Sequence, residues 1–217
     1  MSQQTNSVVS NHVASDNASD VGRINFIIRT ALSGLRTAIP VMIKSVTNSG
    51  GVSPIGTVSV QPLVSAVDGS GVTWPHGIIY NVPYLRIQGG ANGIILDPVV
   101  GDIGLAIVCD RDISTVKNTQ KISAPGSTRK NDMSDMVYLQ TIIGAAPTQY
   151  VQFNSSGITI LSPTAVKIQA PAINSNGTWT HTGTITASGN IIGQGTSLHT
   201  HVHSGVQTGG SNTGAPV

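Results

Sequence analysis

Val151-Gln-Phe153, Gly157-Ile-Thr-Ile160, Val166-Lys-Ile168, Trp179-Thr-His181, Thr184-Ile-Thr186 and Asn190-Ile-Ile192 are short alternating units, and Asn, Ser, Gly or Pro separates each from the next. Alternation with a period of two is the mark of a strand with two unlike faces. Each unit is only three to five residues long, and one chain of this kind has too little apolar surface to cover its own strand faces. Lys167 is the single formally charged side chain from residue 149 onward. Three identical chains wound about one axis would let each apolar residue meet its symmetry mates. A single-chain β-helix would need clearer repeats and more turns than about seventy residues supply. The expectation is an intertwined, triple-stranded β-helix over residues 148–217.

Composition agrees. Charged residues make up 9% of the 217-residue chain, against about 25% in ordinary globular proteins. All nine acidic residues are Asp. Val, Ile, Thr, Ser, Asn and Gly abound, which favours strands and turns. The net charge of +2 comes from scattered basic residues, so no footprint for nucleic acid is expected. One cysteine, Cys109, rules out an intrachain disulfide framework and reads as a buried small hydrophobe. Residues 1–15 lack the pattern of a secretory signal, and no run approaches the ~20 apolar residues of a membrane-spanning helix.

Upstream, residues 1–37 read as a polar, flexible segment followed by one helix. Val21, Ile24, Ile27, Ile28, Ala31, Leu32 and Leu35 recur at helical spacing after Ser19-Asp20, and Pro40 prevents continuation. The spacing predicts a helix over 20–33 whose apolar stripe packs on the next domain or on another subunit. Residues 38–147 then carry strand-like runs at Ala38–Thr47, Gly56–Pro62, Val82–Gln88, Gly93–Leu96 and Ile103–Cys109. Five or six strands in about a hundred residues suit a small barrel, and the five-stranded OB type fits best. Thr119–Asp135 reads as a polar link from this domain to the C-terminal β-helix.

The tip, about 197–217, carries the chemistry: Ser197-Leu-His199-Thr-His201-Val-His203-Ser-Gly205. In an extended strand these three imidazoles would project to one face. Two histidines from each of three chains would supply six nitrogens, an octahedral set that suits iron(II), with nickel or cobalt chemically possible and tetrahedral zinc a poor match. A solvated polar strand, or an incidental zinc chelator, is the bland alternative. Asp102, Asp110 and Asp112 with His76 could be imagined as a hydrolytic set, but turn and strand-end carboxylates explain them. The absence of Glu disfavours a peptidoglycan-cleaving pair. Trp179 and His181 share a strand face, where packing near an axis is expected. Asn154 and Asn176 begin glycosylation-like triplets that mean nothing without a secretory route.

The ending His-x-His-x-Gly-Val-Gln-x-Gly-Gly-x-x-Thr-Gly-x-Pro, His201 to Pro216, resembles the tips of central baseplate spikes from contractile-tailed bacteriophages. Val82-Pro-Tyr-Leu, Val100-Gly-Asp-Ile-Gly-Leu, Cys109-Asp-Arg-Asp-Ile and Ser127–Asp135 are similar to the OB domain and polar link of that family, so the likeness covers roughly 36–217. The resemblance implies a non-enzymatic homotrimer in the virion, at the tip of the tail baseplate. There it would meet the baseplate hub and tail tube proteins and pierce the host outer membrane on sheath contraction. It also implies iron held by a His-x-His pair from each chain. The family has two histidines where this chain has three. His201 and His203, just before the Gly-Val turn, match best, which leaves His199 a neighbour one layer toward the base. A receptor- or polysaccharide-binding tail fibre, a metal-dependent hydrolase and the spike of a contractile secretion system are the competing readings.

Overall fold

A computed structural model describes residues 14–48 and 51–202, with Gly205 and Gly209. The chain is mainly β, as composition predicts. It divides into two compact units, 1–163 and 164–217.

In the first unit a single 3-10 turn, Ala14–Asn17, precedes helix α1, Asp20–Ser33. The helix starts where the sequence predicts, because the Ser19 side chain accepts the Gly22 N–H at 3.1 Å. Its apolar stripe is not packed on the following domain: Ile24 and Ile28 are 56% and 49% exposed, and no residue of the helix is buried.

The centre of the unit is a five-stranded antiparallel sheet of β1 (Ala38–Val46), β2 (Thr57–Pro62), β5 (Ile79–Pro83), β8 (Ile103–Val108) and β9 (Met136–Ile143). Its order is β5-β2-β1-β8-β9. The two outer strands meet: Tyr84 bridges Tyr138 in parallel, and the Leu85 N–H donates to the Tyr138 carbonyl at 2.8 Å. The sheet therefore rolls closed, which removes its edges. Bulges in the β1–β2 and β8–β9 ladders supply curvature. Alternate residues point inward, so Val41, Ile43, Val58, Val60, Val82, Tyr84, Ala106, Met136 and Tyr138 form the core. The large Tyr138 fits because Gly104 and Ala106 leave room on the neighbouring strand. A Cβ on Gly104 would collide with the Tyr138 ring and the Gln140 carbonyl oxygen.

Two small hairpins decorate the barrel, β3 (Ala66–Val67) with β4 (Thr73–Trp74), and β6 (Ile87–Gly89) with β7 (Asn92–Ile94). The run predicted as one strand, Val82–Gln88, is broken between β5 and β6. There Arg86 turns inward and forms a bidentate pair with Asp97, at 2.7 and 2.8 Å from its Nη2. Tyr84 Oη also donates to Asp97 at 3.0 Å. Burial of a guanidinium requires such a partner, and the partner lies off the sheet.

Thr119–Asp135 is not a tether between domains, because it leads into β9 of the same sheet. A short helix α2, Ser114–Thr119, opens the segment. Arg129 then pins it to Asp112 at 3.0 Å and to Asp135 at 3.2 Å. Asp135 is fully buried, and its carboxylate accepts the Ile113 N–H at 3.1 Å. Cys109, at the end of β8, is half-buried, and burial pushes its thiol pKa up. A last hairpin, β10 (Tyr150–Asn154) with β11 (Gly157–Leu161), exposes both faces. Val151, Phe153, Ile158 and Ile160 are all more than half exposed.

In the second unit, described to residue 202, the only strands among the described residues are β12 (Ile192–Gly193) and β13 (Thr196–Ser197). The other predicted units, at 166–168, 179–181 and 184–186, form no strand among the described residues. From Thr164 to Val202 every described residue is exposed except Ser197. No helix among the described residues is long and apolar enough to cross a membrane.

Candidate metal-binding tip

The β12–β13 hairpin sets up the tip. Gln194 and Gly195, with φ of 49° and 81°, make its turn. The Asn190 carboxamide oxygen reaches across and accepts from Ser197 Oγ at 2.9 Å and from the His199 N–H at 3.3 Å. Ser197 Oγ in turn accepts the Thr200 N–H at 2.9 Å, and the Ser197 carbonyl accepts the His201 N–H at 3.1 Å. Ser197 thus caps a turn over residues 198–200, a side-chain alternative to the strand ladder.

The stretch is therefore not the continuous extended strand expected for His199 to His203. His199 lies inside the turn and His201 follows it, so alternation no longer places these two imidazoles on one face. His203 lies outside the described residues. The signal for the turn was a serine three residues ahead of Thr200. Its Asn190 partner lies across the hairpin, where no local pattern points to it.

His201 carries a specific hydrogen bond. Its Nδ1 lies 3.1 Å from the Leu198 carbonyl oxygen. A carbonyl oxygen only accepts, so Nδ1 holds the proton and the neutral ring keeps its lone pair on Nε2. A backbone carbonyl that fixes the tautomer in this way is the usual outer support of a metal-ligating histidine. His201 thus fits the ligand role by donor chemistry. Among the described residues of one chain, no three His, Cys, Asp or Glu side chains gather at a metal-holding distance.

The other candidates are dispersed. Asp102 accepts the Val99 N–H at 2.8 Å and closes the turn before β8. Asp110 is exposed, 3.9 Å from Arg111. Asp112 accepts from Ser114, Ser127 and Arg129, and these hold its carboxyl well below the usual range, the Ser114 hydrogen bond foremost. His76 forms no metal-holding group with them, and its pKa is lowered first by burial and then by the Arg36 charge. Trp179 Nε1 donates to Ser175 Oγ at 2.9 Å, and His181 Nε2 to the Thr184 carbonyl at 3.3 Å. Both are local turn bonds with the rings exposed.

In a comparison with known protein families, residues 195–217 match the GpV Apex motif. That motif is the tip of a phage tail spike, a puncturing device. The match begins at Gly195, in the β12–β13 turn, and spans His199, His201 and His203. No curated protein matches the chain.

Proposed function

We propose that this chain is the central spike of a contractile phage tail, a homotrimer that is driven through the host outer membrane when the sheath contracts. The observation that carries the proposal is the run of exposed apolar side chains leading into the apex motif. Ile168, Ile185 and Ile192 are 67%, 67% and 66% exposed in the single chain. Isoleucines so placed contribute stability only when something covers them, and two symmetry copies of the same strand offer matching faces. The resulting prism would be almost free of charge, and a charge carried into hydrocarbon costs several kcal/mol.

In this reading the barrel is an OB domain that seats the spike on the baseplate hub, at the end of the tail tube. Its strand order and the parallel Tyr84–Tyr138 closure support that assignment. The tip metal is iron(II), held by His201 and His203 of three chains. Six imidazoles saturate an octahedral ion and tie together chain ends that otherwise fray. No position is left for a reacting water, so the role is mechanical and no catalytic residue is assigned.

Elemental analysis of protein purified without metal-affinity steps should give about one iron per three chains; one metal per chain would sink the shared site. His201→Ala with His203→Ala should release the metal while sedimentation still reports a trimer, since the shaft has its own interface. Retention of the metal would reassign the pair toward His199.

A further inference from the structure

The hydrogen bonds around the β12–β13 hairpin converge on one ring. Leu198, whose carbonyl meets His201 Nδ1, is itself fastened to the hairpin. Its N–H donates to the Ile191 carbonyl at 2.8 Å, one step beyond the Ile192–Ser197 pair of the ladder. The His201 backbone is fastened one residue earlier, through its N–H and the Ser197 carbonyl. Ring and backbone of His201 are thus held by two adjacent residues at one strand end. A flip of the ring would carry Nδ1 away from the Leu198 carbonyl and break the contact.

Two side chains hold that strand end in place. Asn190 lies opposite His199 in the register that continues from the ladder, and its single oxygen accepts both from Ser197 Oγ and from the His199 N–H. Ser197 Oγ spends its proton on Asn190 and its lone pair on the Thr200 N–H. Ser197 is also the one described residue between Thr164 and Val202 that is not fully exposed. Each of these bonds is weak by itself in water, but together they tie every residue of the 198–200 turn back to the hairpin. His199 takes part through its backbone; its ring makes no such bond among the described residues.

We infer that Asn190 and Ser197 are positioning residues for a metal ion at the tip: they lock the turn so that His201 keeps its proton on Nδ1 and presents Nε2 as the ligand atom. The inference rests on the metal reading of His201 above, and not on how many chains share the ion. A neutral imidazole ligates through the nitrogen that carries the lone pair, and the hydrogen bond at the other nitrogen decides which one that is. Without the turn the ring rotates and exchanges tautomers, and binding must then select one orientation from several. The side chains suit the task by count. A carboxamide oxygen accepts twice, a hydroxyl donates once and accepts, and alanine at either position does neither.

The test uses the full chain, stripped of metal by chelation and carrying isotope-labelled histidine, at a pH well above the ordinary histidine value near 6.5. Ring-nitrogen NMR should show His201, identified by its loss in His201→Ala, with the proton on Nδ1. Ser197→Ala and Asn190→Ala should each shift that ring toward a mixture of tautomers. Each should also weaken iron(II) binding, read anaerobically by competition with a chelator, at least about tenfold. Ser197→Thr keeps the hydroxyl and should keep both tautomer and affinity. A His201 proton on Nε2 in the unaltered chain overturns the inference, as does a Ser197→Ala chain with tautomer and affinity unchanged; iron(II) still bound in either case leaves the metal reading standing. An unaltered chain that holds the Nδ1 proton but takes up no iron(II) overturns the metal reading and the inference with it. If the alanine variants disorder the hairpin, Ser197→Thr decides: a threonine variant that behaves like the alanine one overturns the inference.

Discussion

The barrel and the shaft use the same side chains and bury them by different means. In the barrel, Val41, Ile43 and Val60 are completely buried because five strands of one chain roll closed around them. In the second unit, Ile168 and Ile185 stand two-thirds exposed in segments outside any paired strand of the described residues. The barrel's stability is therefore a property of each chain. In the proposed trimer that of the shaft would belong to an assembly, and mutation can separate the two.

The largest effect is expected where three chains would lose the same contact. Ile168→Ala should lower the melting of a trimeric shaft, followed by far-UV circular dichroism, by the equivalent of about 2–5 kcal/mol in each chain if the side chain is covered. A change near zero would mean that Ile168 stays as exposed in solution as it is in one chain, and the contrast would collapse. Ile43→Ala in the barrel should cost about 2–5 kcal/mol once per chain. Its urea transition should not depend on protein concentration, whereas that of the shaft should. Gly104→Ala should cost about 1–3 kcal/mol by pushing β8 off the Tyr138 ring and the Gln140 carbonyl. A fully stable G104A barrel would show that the closure tolerates slack.

The smallest effect concerns pH. His76 has its pKa lowered in the folded barrel, by burial and by Arg36. As pH falls below the ordinary value near 6.5, the unfolded chain takes up this proton before the folded one does. Stability is lost over that interval and levels off below the folded pKa. His76→Asn should shrink the drop in urea midpoint between pH 7.5 and 5.5 without altering the shaft; an unchanged drop would assign the acid sensitivity elsewhere.

Much of this contrast is legible in sequence. Alternation marks β1, β2 and β8, while Ser19 and the apolar spacing mark α1. The identity of the tip is written in its histidines and glycines. What escapes is whatever depends on a side chain far along the chain. Arg86 leaves the predicted strand because of Asp97, and Met136–Ile143 is masked by the polar stretch before it, which reads as a tether until Arg129, Asp112 and Asp135 are seen together. The turn at residues 198–200 is set by Asn190 across a hairpin, and neither end of that contact announces the other.

The closure between Tyr84 and Tyr138 also fixes an order of events during synthesis. β9 is the last barrel strand and precedes the entire second unit, so the ribosome releases a complete barrel before any residue from 164 onward has emerged. At about 5–20 residues per second the remainder follows seconds later, ample time for a small barrel to shut. In the proposed trimer, each chain would thus reach its two companions with its own core already sealed and only the exposed, nearly uncharged residues from 164 onward left to register.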